Sequence, residues 1–260
     1  MGVLTIDLED WFQVYNFSKV IKFEDWEKQK PRIVNNVIRL LNMLDKYDTK
    51  ATFFVLGWIA EKFPFLISEI KARGHEIASH GYCHKPIYLM DKEEFAKDID
   101  LSIEAIKKAA GTKPMGYRAP SFSITKKTLW ALDVLKEKGF KYDSSMMPVK
   151  HPDYGIKGIP DKPFMIREIL ELPLPVTYGL PIGGGYFRAY PYFLTKHLLK
   201  QHKNPVFYIH PWELDPGMPR YNLPLIKRFR HYNGLKTTEM KFKRLLRDFK
   251  FMRMDESLKL

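Results

Sequence analysis

Ionisable residues recur where short apolar runs of this chain stop. Asp7, Glu9 and Asp10 follow Val3–Ile6, and His80 and His84 follow His75–Ser79. Arg118 follows Gly116-Tyr117, Asp143 follows Phe140–Tyr142, and His210 follows Val206–Ile209. Two imidazoles four residues apart can both reach one divalent ion, and Gly81 between them argues for an irregular turn. An isolated His-x-x-x-His is otherwise two loop histidines, so its weight comes from its company. Two histidines need an anionic third ligand, and Asp7, Glu9 and Asp10 offer three carboxylates. In an extended strand residues two apart share a face, so Asp7 and Glu9 project together while Leu8 packs elsewhere. One carboxylate can bind the ion and another can serve as a base. Cys83 adjoins His84 and reads as a small buried residue.

The elements that must position these groups follow a βαβα rhythm. Val3–Ile6 is predicted as a strand. Pro31 opens a helix with Ile33, Val37, Leu40, Leu41 and Leu44 at helical spacing. Ala51–Gly57 reads as a strand buried on both faces, Phe63–Arg73 as a helix and His75–Ser79 as a strand. Asp91 with Glu94 predicts a capped helix carrying Phe95, Ile99, Ile103 and Ile106, closed by Gly111. Helices over Thr125–Lys138, Tyr192–His202 and Thr237–Phe249 and the strand Val206–Ile209 complete the pattern. The rhythm predicts a parallel sheet with crossover helices. The stretch from Pro148 to Pro191 reads as loops and short strands, with Gly183-Gly184-Gly185 as a tight turn, and a basic loop follows Glu213. In a parallel barrel the C-terminal strand ends share one rim. Five strands delivering ionisable residues to that rim is hard to explain by packing.

The composition fits this reading. Of 260 residues 45% are apolar and 28% charged, which excludes a disordered chain. One cysteine excludes an intrachain disulfide. Forty-three basic against 30 acidic residues give +13, which suits an anionic partner without selecting one. No nucleic-acid partner is expected. The basic stretch Lys227–Arg253 reads first as a solvated helix face, with peripheral contact to an anionic membrane or acidic glycan as its functional alternative. No run of about 18 apolar residues predicts a transmembrane segment, and no signal peptide is visible, so a cytoplasmic location is expected. No linker or repeat is evident, so one domain over 1–260 is expected, with 214–260 as a C-terminal extension. Oligomeric state is not legible.

The motifs resemble the polysaccharide deacetylase family, the NodB-homology or carbohydrate esterase family 4 group. Thr5-Ile6-Asp7-Leu8-Glu9-Asp10 is similar to its first motif and Ser79-His80-Gly81-Tyr82-Cys83-His84 to its second. Arg118-Ala119-Pro120, Tyr142-Asp143-Ser144-Ser145 and Tyr208-Ile209-His210-Pro211 resemble the remaining three. Gly183–Arg188, His210–Glu213 and Arg228–Tyr232 resemble the branch associated with exopolysaccharide biosynthesis. The resemblance implies an irregular α/β barrel of parallel strands and outer helices. It implies a metal-dependent hydrolase that removes N-acetyl groups from a polysaccharide or its precursor. It makes Asp7 the base, His80 and His84 metal ligands, and Arg118 the residue that pairs with the base. It makes His210 the general acid, oriented by Asp143. Leu8 stands where the family has a metal-binding aspartate, so strand geometry favours Glu9 as the third ligand, with Asp10 as the fallback. A backbone N–H near Tyr82 or Cys83 would hold the oxyanion, and Tyr82, Pro120 and Trp212 are expected to touch substrate. Zinc suits the ligand set, with cobalt, nickel, iron and manganese as alternatives. Base and acid need opposite protonation states, so a bell-shaped pH–rate profile is expected. Hydrolysis of a small cyclic or linear amide on the same scaffold and a non-catalytic carbohydrate-binding relative are the rival readings.

Overall fold

The computed structural model describes residues 1–151 and 153–260. These fall into two compact units, Met1–Ala51 with Ile182–Leu260, and Thr52–Pro181. The division comes after Ala51 and Pro181. Residues 214–260 therefore share a unit with the N-terminal strand.

The first unit begins with β1 (Gly2–Leu8), buried along its whole length, and α1 (Ile33–Lys46). β1 extends two residues past the predicted Ile6, so Asp7 is part of the strand. The predicted helical stripe Ile33, Val37, Leu40, Leu41 and Leu44 is the buried face of α1. Asp10 secures the helix start. One of its carboxylate oxygens accepts the N–H groups of Arg32 (2.6 Å) and Ile33 (3.0 Å), and the other accepts that of Trp11 (2.8 Å). The first amides of a helix lack internal partners, and a negative charge there is favoured. Burial nonetheless pushes the Asp10 carboxyl up to about 6.

The second unit contains β2 (Thr52–Val55), α2 (Gly57–Lys62), α3 (Pro64–Ala72), β3 (Glu76–Ser79) and α4 (Lys92–Ala110). It continues with β4 (Gly116–Tyr117), α5 (Trp130–Glu137), β5 (Tyr142–Asp143), β6 (Phe164–Ile166) and β7 (Ile169–Glu171). The hairpin β8 (Val176–Thr177) and β9 (Leu180–Pro181) ends it. Strands β2, β3, β4, β5 and β7 pair in parallel, as the βαβα pattern predicts, and β6 turns back antiparallel on β7. Phe95 and Ile99 of α4 and Ala131, Leu132 and Leu135 of α5 form a core with Tyr117 and Ile169. The reciprocal cap of Asp91 and Glu94 forms as predicted, and Gly111 ends α4 at φ +70°. α5 starts five residues later than predicted. The Thr128 hydroxyl bonds Ser123 O and the Thr125 N–H, a local turn that competes with helix.

The chain then completes the first unit with α6 (Gly184–Ala189), α7 (Tyr192–Leu199), β10 (Val206–Ile209) and α8 (Leu225–Tyr232). α9 (Leu235–Asp248), β11 (Phe251–Met252) and α10 (Met254–Leu258) follow. β1 pairs in parallel with both β10 and β11. Two expectations change here. The segment read as a basic loop contains α8. The glycine run opens α6 rather than forming a free turn: Gly183 and Gly184 take φ +117° and +47°, and a Cβ on either would sit 2.4–2.5 Å from the Tyr208 ring. Among the described residues no helix is long and apolar enough to cross a membrane.

Candidate active site

In the first unit the register Ile6↔Ile209 sets Asp7 and His210 at the same end of adjacent strands. His210 Nε2 lies 3.0 Å from Glu9 Oε1 and 3.8 Å from Asp7 Oδ2, and Nδ1 lies 3.4 Å from Glu213 Oε2. Asp7 and Glu9 thus face one imidazole, as their spacing predicts, while Leu8 is fully buried elsewhere. Burial would lower the His210 pKa, but the charges of Glu9 and Glu213 outweigh it and push it up to about 9. The expected carboxylate partner of His210 is Asp143. The structure supplies Glu213 three residues on, whose Oε2 also accepts the His210 N–H. Burial opposes ionisation of Glu213, yet the His210 and Arg188 charges bring it down to about 2.

Behind Glu213 lies a buried guanidinium. Arg188 donates Nε to Glu213 Oε1 (2.8 Å) and its other nitrogens to the carbonyls of Arg230, His231 and Asn233 (2.7–2.8 Å). Trp212 stacks on His210 (centroids 5.3 Å) and on His231 (4.5 Å), with the Arg188 guanidinium against it at 5.1 Å. The ring is only 3% exposed, so Trp212 is packing for His210 and not a sugar platform. Both oxygens of Asp10 are committed to backbone amides, one at the start of α1 and the other at Trp11.

In the second unit His80 and Arg118 directly follow β3 and β4, and Asp143 ends β5. The registers Ser79↔Tyr117, Tyr117↔Asp143 and Asp143↔Glu171 set them at one end of parallel strands. The His80 and His84 rings are buried with centroids 5.2 Å apart. His80 Nδ1 is 2.8 Å from Arg118 O. Nδ1 is therefore the protonated nitrogen and Nε2 carries the lone pair, the arrangement that orients a metal-binding imidazole. His84 takes φ +55°, as do Ser121 and, at +54°, Phe122, which follow buried Pro120. Such backbones cost about 1–3 kcal/mol each and cluster at functional sites.

Asp98 of α4 shapes the histidine loop. Its carboxylate accepts the N–H groups of Tyr82 (2.8 Å) and Cys83 (3.1 Å). Both amides expected to hold an oxyanion are thus already donated. Tyr82 sends its hydroxyl to Glu61 at 2.6 Å. Burial pushes the Cys83 thiol far up, with the Asp98 charge adding to the shift, so it stays protonated and is no ligand.

Arg118 is fully buried over the Phe54 ring (4.1 Å) and donates to Ser144 O and Oγ (2.8 and 2.9 Å). Asp143 accepts from Ser145 Oγ (2.6 Å) and N (3.2 Å), and Glu171 adjoins it. Burial and the Asp143 charge hold the Glu171 carboxyl well above the usual range, so Glu171 keeps a proton beside Asp143. The folded chain retains a proton that the unfolded chain releases above pH 4.5, the ordinary Glu value. Stability therefore falls as pH rises from there, by about 1.4 kcal/mol per pH unit, until the folded pKa is passed. Glu171→Gln supplies an amide N–H in place of that proton and flattens this stretch. Urea midpoints across about pH 5–8 check it, and parallel slopes for the two proteins would be the contrary result.

Comparison with known proteins places these geometries. The family profile described as polysaccharide deacetylase matches residues 19–142. Over those residues the chain is similar to the polysaccharide deacetylase family. A domain of unknown function, DUF3473, matches residues 144–259. The chain is 36% identical over 110 residues to the peptidoglycan deacetylase-like protein FGM2 of Gibberella zeae, covering 42% of this chain and 32% of that one. It is 39% identical over 118 residues to a peptidoglycan deacetylase of Helicobacter pylori, covering 45% and 38%. The chain thus spans about a third of the length of these curated relatives. Its fold is shared with a crystal structure described as a polysaccharide deacetylase of Mycobacterium smegmatis, with TM-score 0.65 and 21% identity over 99% of this chain and 88% of that one. The expected α/β class with NodB-type parallel strands and outer helices is therefore correct.

Glu213, Arg188, Asp98 and Glu171 escape the sequence reading. Only Glu213 carries a local signal, three residues after His210 in His-Pro-Trp-Glu.

Proposed function

We propose that this chain is a metal-dependent N-deacetylase acting on an N-acetylated glycan or its precursor. The observation that carries the reading is the half-buried His210 imidazole held among Asp7, Glu9 and Glu213 in a chain that also presents the oriented His80–His84 pair. We assign one divalent ion, zinc by the chemistry of its donors, to the His80–His84 pair, with Glu9 as the carboxylate that its place in the first motif implies. Leu8 has no donor atom, and Asp10 is spent on backbone amides. When bound, the ion supplies Lewis acidity toward water and the acetyl carbonyl.

The chain's own residues do the proton work. Asp7 accepts a proton as water adds to the carbonyl carbon, and Arg118 pairs with that carboxylate. His210 delivers its Nε2 proton to the nitrogen as the C–N bond breaks, because an amine is too basic to leave unprotonated. Acetate and a free amine result. Glu213 holds the other face of the ring, and Asp143 remains the family-implied support for it. The motifs at 183–188, 210–213 and 228–232 support an exopolysaccharide substrate.

The test is acetate release from N-acetylglucosamine oligomers with added zinc. Asp7→Asn is expected to lose about 10²–10⁴-fold in rate, and a chelator to abolish turnover until metal is restored. Equal release by wild type and Asp7→Asn would end the assignment. Asp98 contributes through the loop it holds: Asp98→Ala is expected to weaken zinc binding by about 10–100-fold in a competition titration. An unchanged affinity would separate Asp98 from the metal loop.

A further inference from the structure

We propose that α8 is an interfacial helix that docks the protein on an anionic lipid surface. Its sequence, Leu-Ile-Lys-Arg-Phe-Arg-His-Tyr, turns two residues inward and three large apolar ones outward. His231 and Tyr232 are buried. Leu225, Ile226 and Phe229 are 82%, 69% and 64% exposed. At about 100° per residue these three occupy a continuous arc of about 100°. Arg230 borders the arc on one side, Arg228 lies beyond Tyr232 on the other, and both arginines are exposed.

The helix is also rigidly mounted. His231 packs edge-on against Phe17 (4.7 Å) and stacks on Trp212. Tyr232 bonds the Tyr221 N–H and Pro219 O. Arg188 holds the last carbonyls of the helix. The apolar arc is therefore a fixed face and not the side of a fraying segment.

Charge selects the occupant. From Pro216 to Thr238 the chain has five cations, Arg220, Lys227, Arg228, Arg230 and Lys236, and no acid. A second copy would set those cations against each other. A glycan offers no medium for Leu225 and Ile226. A bilayer rich in acidic headgroups satisfies both, taking the apolar arc at the acyl boundary and the arginines at the phosphates. This inference does not depend on the deacetylase reading, because lipid binding is measured without turnover.

The experiment is co-sedimentation of the full chain with vesicles of phosphatidylcholine alone, or of equal parts phosphatidylcholine and phosphatidylglycerol. Each cation at an anionic surface is worth about five-fold in partitioning. The variant Lys227→Gln with Arg228→Gln and Arg230→Gln should therefore lose about a hundredfold on the anionic vesicles. Leu225→Gln with Ile226→Gln and Phe229→Gln should lose about tenfold or more while melting like wild type, since all three side chains are exposed. Added salt should weaken wild-type binding. The proposal is overturned if wild type stays in the supernatant with anionic vesicles at low salt, or if the apolar triple variant binds as well as wild type. It is equally overturned if wild type forms a dimer without lipid that this variant abolishes, because a second copy would then cover the face.

Discussion

Alanine at position 210 is expected to lower kcat for acetate release by about 10²–10⁴-fold, with a much smaller change in KM. The nitrogen being expelled must receive a proton as its bond breaks, and His210 Nε2 lies among carboxylates that keep it charged at neutral pH. The substitution also leaves Asp7, Glu9 and Glu213 facing one another without a cation between them. His210→Gln fills the space but cannot donate an acidic proton, so it should restore part of the stability and none of the rate. Steady-state kinetics beside thermal melts separate these effects. A kcat for His210→Ala near that of wild type would remove the proton donor from the mechanism.

Arg188→Met is expected to cost about 3–5 kcal/mol of folding free energy. The Arg188 and Glu213 side chains are 3% and 0% exposed, so the substitution strands a buried carboxylate and leaves three carbonyls without their donor. Arg188→Lys should recover little, because one ammonium cannot reproduce a planar fork that bonds in three directions. Adding Glu213→Gln to Arg188→Met should recover part of the loss by removing the stranded charge. Urea midpoints of these four proteins and of Glu213→Gln alone check the series, and an additive double variant would mean the two residues act independently.

The strand ends were legible because ionisable residues interrupt apolar runs there. Asp7, His80, Arg118, Asp143 and His210 all occupy the predicted termini. The Asp91–Glu94 cap was legible for the same local reason. α8 was not, because its apolar residues point outward and mimic the irregular spacing of a loop. Trp212 misled because proximity to a catalytic histidine in sequence says nothing about which way a ring faces. Arg188, Asp98 and Glu171 act across 25, 15–16 and 28 residues respectively, counting to Glu213, the Tyr82–Cys83 amides and Asp143. Single charges at such separations leave no periodic trace.

The pairing of β1 with β10 also constrains how this protein is made. The Thr5 hydroxyl bonds Phe207 O, 202 positions downstream. At about 5–20 residues per second, a ribosome needs about 10–40 s to deliver that partner. During that interval Thr52–Pro181 can condense on its own local contacts, whereas the nascent strand bearing Asp7 has no strand partner from its own unit. Truncation before Val206 would therefore remove His210 and, with it, the strands against which the N-terminal segment closes.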